Sequence, residues 1–205
     1  MSGYKTEQEE FWTGQFGDDY TNRNQGSQLI ASNTALFASI IARTRQVKSI
    51  LELGANRGLD LLALRSLLPA VELSAIEINP KAVKELESIN NLKIYQQSIL
   101  DFSVDYQRDL VLSKGLLIHI APEMLPRAYQ VLYESSSRYI CLAEYYNTTP
   151  VEVEYRGNKG KLFKRDFAGE MMDRYPDLAL LDYGFTYHRD NNFPQGDLTW
   201  FVLSK

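Results

Sequence analysis

The chain has 205 residues, 44% of them hydrophobic and 23% charged, with a formal net charge of −4, the balance of a globular protein with one sizeable core. Acids and bases are interspersed, so no basic face offers itself to a nucleic acid, and no apolar run approaches the roughly 20 residues of a membrane span. The single cysteine, Cys141, excludes an internal disulfide and a multi-cysteine metal site.

The start, MSGYKTEQEEFW, lacks a cationic-then-apolar signal pattern, so a cytoplasmic protein is expected. Residues 6–16 read as a short helix, with Thr6 and Glu9 at capping-box spacing. A polar, glycine-containing stretch, GDDYTNRNQGS, follows. From Ser27 to about Arg43, Leu29, Ile30, Asn33, Leu36, Phe37, Ile40 and Ile41 recur at helical spacing. Strands and helices then alternate. Ile50–Leu53, Glu72–Ile78, Leu92–Gln96, Asp109–Ser113 and Arg138–Glu144 read as strands. The helices between them cover Gly58–Leu68, a segment opened by Asn79-Pro80, and Pro122 to about Ser135. Residues 145–160 read as a long loop and 161–175 as a helix ending before Pro176. Ala179–His188 and Leu198–Ser204 are expected to close the chain as an antiparallel hairpin. This rhythm predicts an α/β fold around a mostly parallel sheet covered on both faces. One domain, 1–205, is expected, with a helical cap over 1–46, a core over 47–145 and a trailing segment over 146–205.

The core opens on ILELGANRGLDLLAL, a strand, a glycine loop and a helix N-terminus, the usual cradle for a nucleotide-like ligand. The pattern is E-x-G-x-x-x-G, from Glu52, Gly54 and Gly58. Asn56 stands where a dinucleotide-binding G-x-G-x-x-G needs its second glycine, and no Gly-Lys-Ser/Thr of a P-loop follows. Glu77, 25 positions after Glu52 at the end of strand two, suits a ribose diol, which a carboxylate binds through two charge-assisted hydrogen bonds.

These motifs resemble, over residues 48–145, those of the class I S-adenosylmethionine-dependent methyltransferases. The resemblance implies a Rossmann-like seven-stranded sheet with an antiparallel terminal pair, and S-adenosylmethionine as cofactor. It places the methionine end against Glu52, Gly54, Asn56, Gly58, Ser113 and Lys114, with Gly115 beside them, and the ribose at Glu77 and Ile78. The family often carries an adenine-binding Asp after strand three; here Ser98 stands at that place, with Ile99 beside it and Asp101 farther on. The stretches FWTGQFGDDYTNRN, KGLLIHIAPEMLPRAY, RYICLAEYYNTTPVEVEYRG, LFKRDFAGEMMDRYPDL and DYGFTYHRD are similar to the pseudaminic acid biosynthesis-associated methylases. That resemblance implies a small polar acceptor related to nonulosonic acid sugars. Methylation on O or N and a monomer or homodimer are expected.

Methyl transfer requires alignment above all, which supplies roughly 7–11 kcal/mol through proximity. His119, after strand four, reads as a base or substrate contact, or as a cap or packing residue. Tyr145 and Tyr146, after strand five, read as pocket walls or as packing, and Glu144 beside them needs a partner if buried. Arg23, Arg156, Lys164 and Arg165 are candidates for an anionic sugar, or solvated charges. Trp12, Phe16 and Tyr20, at four-residue intervals, either pack the first helix onto the core or form a lid. His188 reads as structural. No metal constellation is expected, since the two histidines are far apart and lack carboxylates at ligand spacing. Two further readings stay open: a catalytically silent cofactor-binding or scaffold protein, and an NAD-dependent sugar-modifying enzyme.

Overall fold

In the computed structural model, which describes residues 3–205, the apolar segments between Ser49 and Glu144 become five parallel strands. Met1 and Ser2, where the expected cap begins, lie outside the described residues. Three helices come first, α1 (Glu7–Thr13), α2 (Gln15–Arg23) and α3 (Ser27–Ile41). The core follows as β1 (Ser49–Leu53), α4 (Leu59–Leu67), β2 (Glu72–Glu77), α5 (Pro80–Leu86) and β3 (Leu92–Gln96). It continues with β4 (Arg108–Lys114), α6 (Leu125–Ser135) and β5 (Ser136–Glu144). The trailing segment holds β6 (Val151–Glu152), β7 (Phe163–Lys164), α7 (Phe167–Arg174), β8 (Ala179–Phe185) and β9 (Thr199–Ser204).

The sheet runs β3-β2-β1-β4-β5-β9-β8, with β9 antiparallel to both its neighbours, so the expected seven-stranded sheet with an antiparallel terminal pair is what forms. Alternate residues feed two cores. Leu51, Leu53, Val111, Ile140 and Leu142 face α6 and α7, while Ile50, Leu73, Leu110 and Cys141 face α3 and α4. Each such buried aliphatic contributes about 1.5–3 kcal/mol. Because β2 and β4 flank β1 on opposite sides, the order reverses there. A crevice opens outside the carboxyl ends of these strands, where open α/β sheets bind ligands. Among the described residues no helix is long and apolar enough to cross a membrane.

Three stretches differ from the sequence pattern. The expected helix 6–16 stops at Gly14, and the polar stretch after it is helical: α2 runs to Arg23. Its buried face consists of Gly17 and Thr21, too small to register as apolar periodicity. Asn79 explains why the helix sits there. Its Oδ1 caps α5 by accepting from Lys81 N and Ala82 N (both 2.9 Å), and its Nδ2 donates to Trp12 O and Asp18 Oδ1 (both 3.0 Å). In the second stretch, the loop expected over 145–160 contains β6, which pairs with β7. That pairing delays the helix expected from 161 to Phe167, where Asp166 caps it through Gly169 N at 2.8 Å. Finally, the strand expected to reach His188 ends at Phe185.

Candidate functional site

The crevice is roofed by α1, α2 and the loop carrying Tyr155, leaving a cavity of about 300 Å³. Glu52, near the end of β1, is buried on its wall. The chain then turns at Gly54 (φ +71°), whose N–H and that of Ala55 bond Ile76 O at 2.8 and 3.2 Å. A Cβ at Gly54 would lie 2.8 Å from Leu116 Cδ1, so the loop after β4 closes directly over this turn. Asn56, also in the left-handed region (φ +47°), donates its N–H to Glu77 Oε2 at 2.7 Å. Glu77 Oε1 accepts from Asn79 N at 2.8 Å. The carboxylate that ends β2 therefore orders the glycine turn while facing the cavity. Burial raises its pKa, and those backbone N–H groups oppose the rise.

Beside it lies a buried charge cluster. Lys114 Nζ reaches Asp60 Oδ1 at 3.1 Å and Asn33 Oδ1 at 3.3 Å, and Gln195 Nε2 donates to Asn33 Oδ1 at 3.1 Å. Glu52 stands next to this group, its Oε2 without a hydrogen-bond partner among the described residues. Burial pushes the Glu52 carboxyl well above its usual range, and the neighbouring Asp60 carboxylate pushes it further. Two carboxyl groups face one ammonium, and Glu52 Oε2 is unpartnered among the described residues, so the wall has acceptor capacity to spare.

At the other end of the cavity, His119 ends a 3₁₀ turn, Leu117–His119. Its ring lies between Trp12 (centroids 4.6 Å apart) and Tyr155 (4.9 Å). Lys161 O is 2.6 Å from Nδ1, which makes Nδ1 the donor and leaves Nε2 as an acceptor. Burial lowers the pKa to about 4 against the opposing pull of that carbonyl, so the ring is neutral near pH 7. Glu144 holds the turn from behind. Its Oε1 accepts from Ser113 Oγ at 2.7 Å and from Leu116 N and Leu117 N, each at 3.1 Å. Burial pushes Glu144 up to about 7, moderated by those donors.

Of the residues singled out in the sequence, Glu52, Gly54, Asn56, Glu77, Ile78, Ser98, Ile99 and Lys114 share the cavity wall with His119, Tyr20 and Tyr145. Others stand elsewhere. Gly58 (φ +78°) opens α4, where a Cβ would meet Ile89 Cδ1 at 2.5 Å and Leu86 Cδ2 at 2.8 Å; it lets α4 lie close to α5. Ser113 is spent on Glu144. The Arg23 guanidinium rests 5.7 Å from the Phe16 ring centre, and Arg165 pairs with Glu170 at 2.6 Å. Tyr146 is exposed near Phe201, and Arg156 is exposed in the turn beyond β6. Lys164 lies over the Tyr145 ring at 5.0 Å, Asp101 pairs with Lys5, and His188 pairs with Asp197 at the surface at 2.9 Å.

Sequence reasoning passed over Asp60, Asn33, Glu9, Tyr155 and Gln195 as wall residues. Two carried a signal: Asp60 is a charge inside the apolar run LDLLAL, and Asn33 a polar residue inside an apolar helical stripe. Tyr155 and Gln195 come from irregular segments with no pattern to read.

No protein-family model matches the chain, and no curated protein sequence does. Solved structures do match in fold. A Burkholderia thailandensis 1,6-didemethyltoxoflavin-N1-methyltransferase, with 1,6-didemethyltoxoflavin and S-adenosylhomocysteine bound, superposes with a TM-score of 0.70 at 12% identity, covering 96% of this chain and 86% of that one. The magnesium protoporphyrin IX methyltransferase of Synechocystis, with S-adenosylhomocysteine bound, gives 0.66 at 13% identity, over 96% and 97% of the two chains. The plantazolicin methyltransferase BpumL, in complex with a monoazolic desmethylPZN analogue and S-adenosylhomocysteine, also gives 0.66, at 14% identity over 96% and 93%. The chain thus has the Rossmann-like fold of S-adenosylmethionine-dependent methyltransferases.

Proposed function

We propose that this protein is an S-adenosylmethionine-dependent methyltransferase acting on an O or N atom of a small polar molecule. The observation that carries the reading is Glu77, a buried carboxylate ending β2 beside a left-handed glycine turn and facing the cavity. The residues present fit the cofactor. Glu77 keeps lone pairs for a ribose diol. Glu52 and Asp60 have capacity for an ammonium, Lys114 for a carboxylate, and Gly54 permits close backbone approach. The cofactor, when bound, supplies a sulfonium-activated methyl group. The faces of Trp12, Tyr20, Tyr145 and Tyr155 suit a neighbouring cation, at roughly 0.5–2 kcal/mol each, and exclude water. His119 Nε2 accepts the proton-bearing edge of a hydroxyl or amine acceptor and orients its lone pair; with a hydroxyl it also takes the proton.

The acceptor is a sugar of the nonulosonic acid type or its precursor. The support for this is the resemblance of the flanking segments to the pseudaminic acid biosynthesis-associated methylases. Neutral polar groups such as Asn24 and Gln195 line the cavity with the aromatic rings; its cations, Arg57 and Lys114, are paired with Glu85 and Asp60, while Arg23, Arg156 and Arg165 lie off its wall. A neutral face of the sugar therefore enters.

Calorimetric titration with S-adenosylhomocysteine tests the cofactor reading, on wild type and on Glu77→Gln, with NAD as competitor. Micromolar binding that weakens about tenfold or more in the variant, undisturbed by NAD, is expected, since losing one charge-assisted bond of about 1.5–3 kcal/mol costs at least a factor of ten. No binding at millimolar ligand, or displacement by NAD, would refute it. Tight binding without turnover on any sugar precursor would favour a silent cofactor-binding protein.

A further inference from the structure

Beyond Glu77 the cavity is closed by the N-terminal helix rather than by the sheet. Glu9, on α1, is 8% exposed and reaches the cavity wall beside Ser98 and Ile99, which follow β3. Its two carboxylate oxygens have different work. Oε2 accepts the backbone N–H groups of Lys5 and Thr6 and completes the capping box of α1. Oε1 accepts the Ser98 hydroxyl, while Ser98 Oγ itself accepts Leu100 N at 3.0 Å. One hydroxyl does not exhaust a carboxylate oxygen, which has two lone pairs.

Resting on the cofactor reading above, we propose that Glu9 is the residue that reads the 6-amino group of the adenine base, so that base recognition is supplied by the N-terminal cap. The order of chemistry along the sheet edge leads there. Lys114 ends β4, Glu52 lies near the end of β1, Glu77 ends β2 and Ser98 follows β3. These strands are neighbours in that order, about 4.8 Å apart at each step. An amino-acid end held at Lys114 and Asp60 and a ribose held at Glu77 put the base one strand farther on. The wall there is apolar at Ile78, Ile99 and Leu100, as a flat heterocycle requires, and Gln97, Ser98 and Glu9 line it with polar side chains, of which only the Glu9 carboxylate is purely an acceptor. A carboxylate only accepts, so it matches the exocyclic amino group of adenine and repels a carbonyl oxygen at the same position. Because Glu9 is also the third residue of α1 and completes its capping box with Thr6, a base bound to it holds α1 down over the cavity.

The experiment compares S-adenosylhomocysteine with S-inosylhomocysteine, which carries a carbonyl in place of the 6-amino group. Both are titrated calorimetrically against wild type, Glu9→Gln and Ser98→Ala. Glutamine at this helix position still forms a capping box, so α1 survives the substitution, and circular dichroism and the melting temperature check that it does. Wild type should prefer the adenosyl ligand by about tenfold or more, as sites built around a donor reject analogues lacking it. In Glu9→Gln the preference should collapse towards equality, because the amide can donate to the carbonyl oxygen. In Ser98→Ala the preference should persist. A ratio unchanged in folded Glu9→Gln overturns the assignment, as does one lost in Ser98→Ala alone. Failure of wild type to bind S-adenosylhomocysteine overturns the cofactor reading itself, which keeps the two failures apart.

Discussion

Glu144 does not itself line the cavity, yet it sets the position of residues that do. Its buried carboxylate ties Ser113 of β4 to the backbone of Leu116 and Leu117, and the same turn delivers His119. A glutamine whose oxygen takes the place of Oε1 keeps those bonds but loses the one from Ile118 N to Oε2, 3.5 Å long, and turns a donor towards that N–H, so the turn loosens by about 0.5–1.5 kcal/mol. Glu144→Gln is therefore expected to lower kcat several-fold while leaving the affinity for S-adenosylhomocysteine unchanged; equal loss in both would make Glu144 a general support of the fold. His119→Ala separates the two acceptor chemistries. For a hydroxyl acceptor, single-turnover methyl transfer should slow by about 10²–10⁴-fold, whereas for an amine, neutral when it attacks, the loss should be modest. Much of the wall was legible residue by residue, because Glu52 and Glu77 sit at fixed places at the ends of regular strands and Gly54 in the turn that follows the first. Glu9 was legible only as a helix cap, since its contact with Ser98 spans 89 positions in the chain.

Two glycines in neighbouring elements make different predictions. At Gly17, in α2, a Cβ would fall 1.9 Å from Trp12 O and 2.8 Å from Trp12 C. That obstacle is backbone, so α1 and α2 must part. Gly17→Ala should weaken S-adenosylhomocysteine binding by more than its small change in melting temperature explains, because α1 and α2 roof the cavity. At Gly58 the conflict is with the ends of Ile89 and Leu86, added to a left-handed backbone that disfavours a side chain by roughly 1–2 kcal/mol. Gly58→Ala should lower the melting temperature by about 2–4 °C for each kcal/mol with binding largely retained. Thermal unfolding and calorimetry on the two variants check both outcomes. The regular elements from α3 to β5 announced themselves through apolar spacing. Helix α2 and the β6–β7 pair did not, since one buries glycine and threonine and the other is a two-residue pairing set by distant chain.

Across the whole molecule, two buried groups titrate in opposite senses. Glu144 rises from its usual 4.5 to about 7, so between these values the native state holds a proton that the unfolded chain has released. Its contribution to stability is present at low pH and is lost as pH rises through 7. His119 falls from its usual 6.5 to about 4, so in that interval the unfolded chain binds a proton that the native state refuses. Its contribution is present above 6.5 and is lost as pH falls towards 4. Each group changes stability by up to about 1.4 kcal/mol per pH unit, and over the shared interval the two oppose. Relative to wild type, Glu144→Gln should therefore gain stability as pH rises from 5 to about 6.5, and His119→Gln should lose it. Urea unfolding across that range reads the two slopes, and parallel curves for all three proteins would refute the assignment.

By itself the sequence determined the α/β architecture, the order of its main strands and the acidic and glycine positions on the first two. These depend on periodicities of two and 3.6 residues and on turn chemistry, which are local properties. The tertiary structure decided what closes the cavity and which side chains meet inside it. Asp60 meets Lys114, Gln195 meets Asn33, Trp12 and Tyr155 enclose His119, and Arg23, Arg156 and Arg165 stand off the wall while Arg57 lies on it. Those meetings join residues up to 162 positions apart. They exist only once the cap and the trailing segment have packed against the sheet, because no local pattern encodes which distant surface a side chain will face.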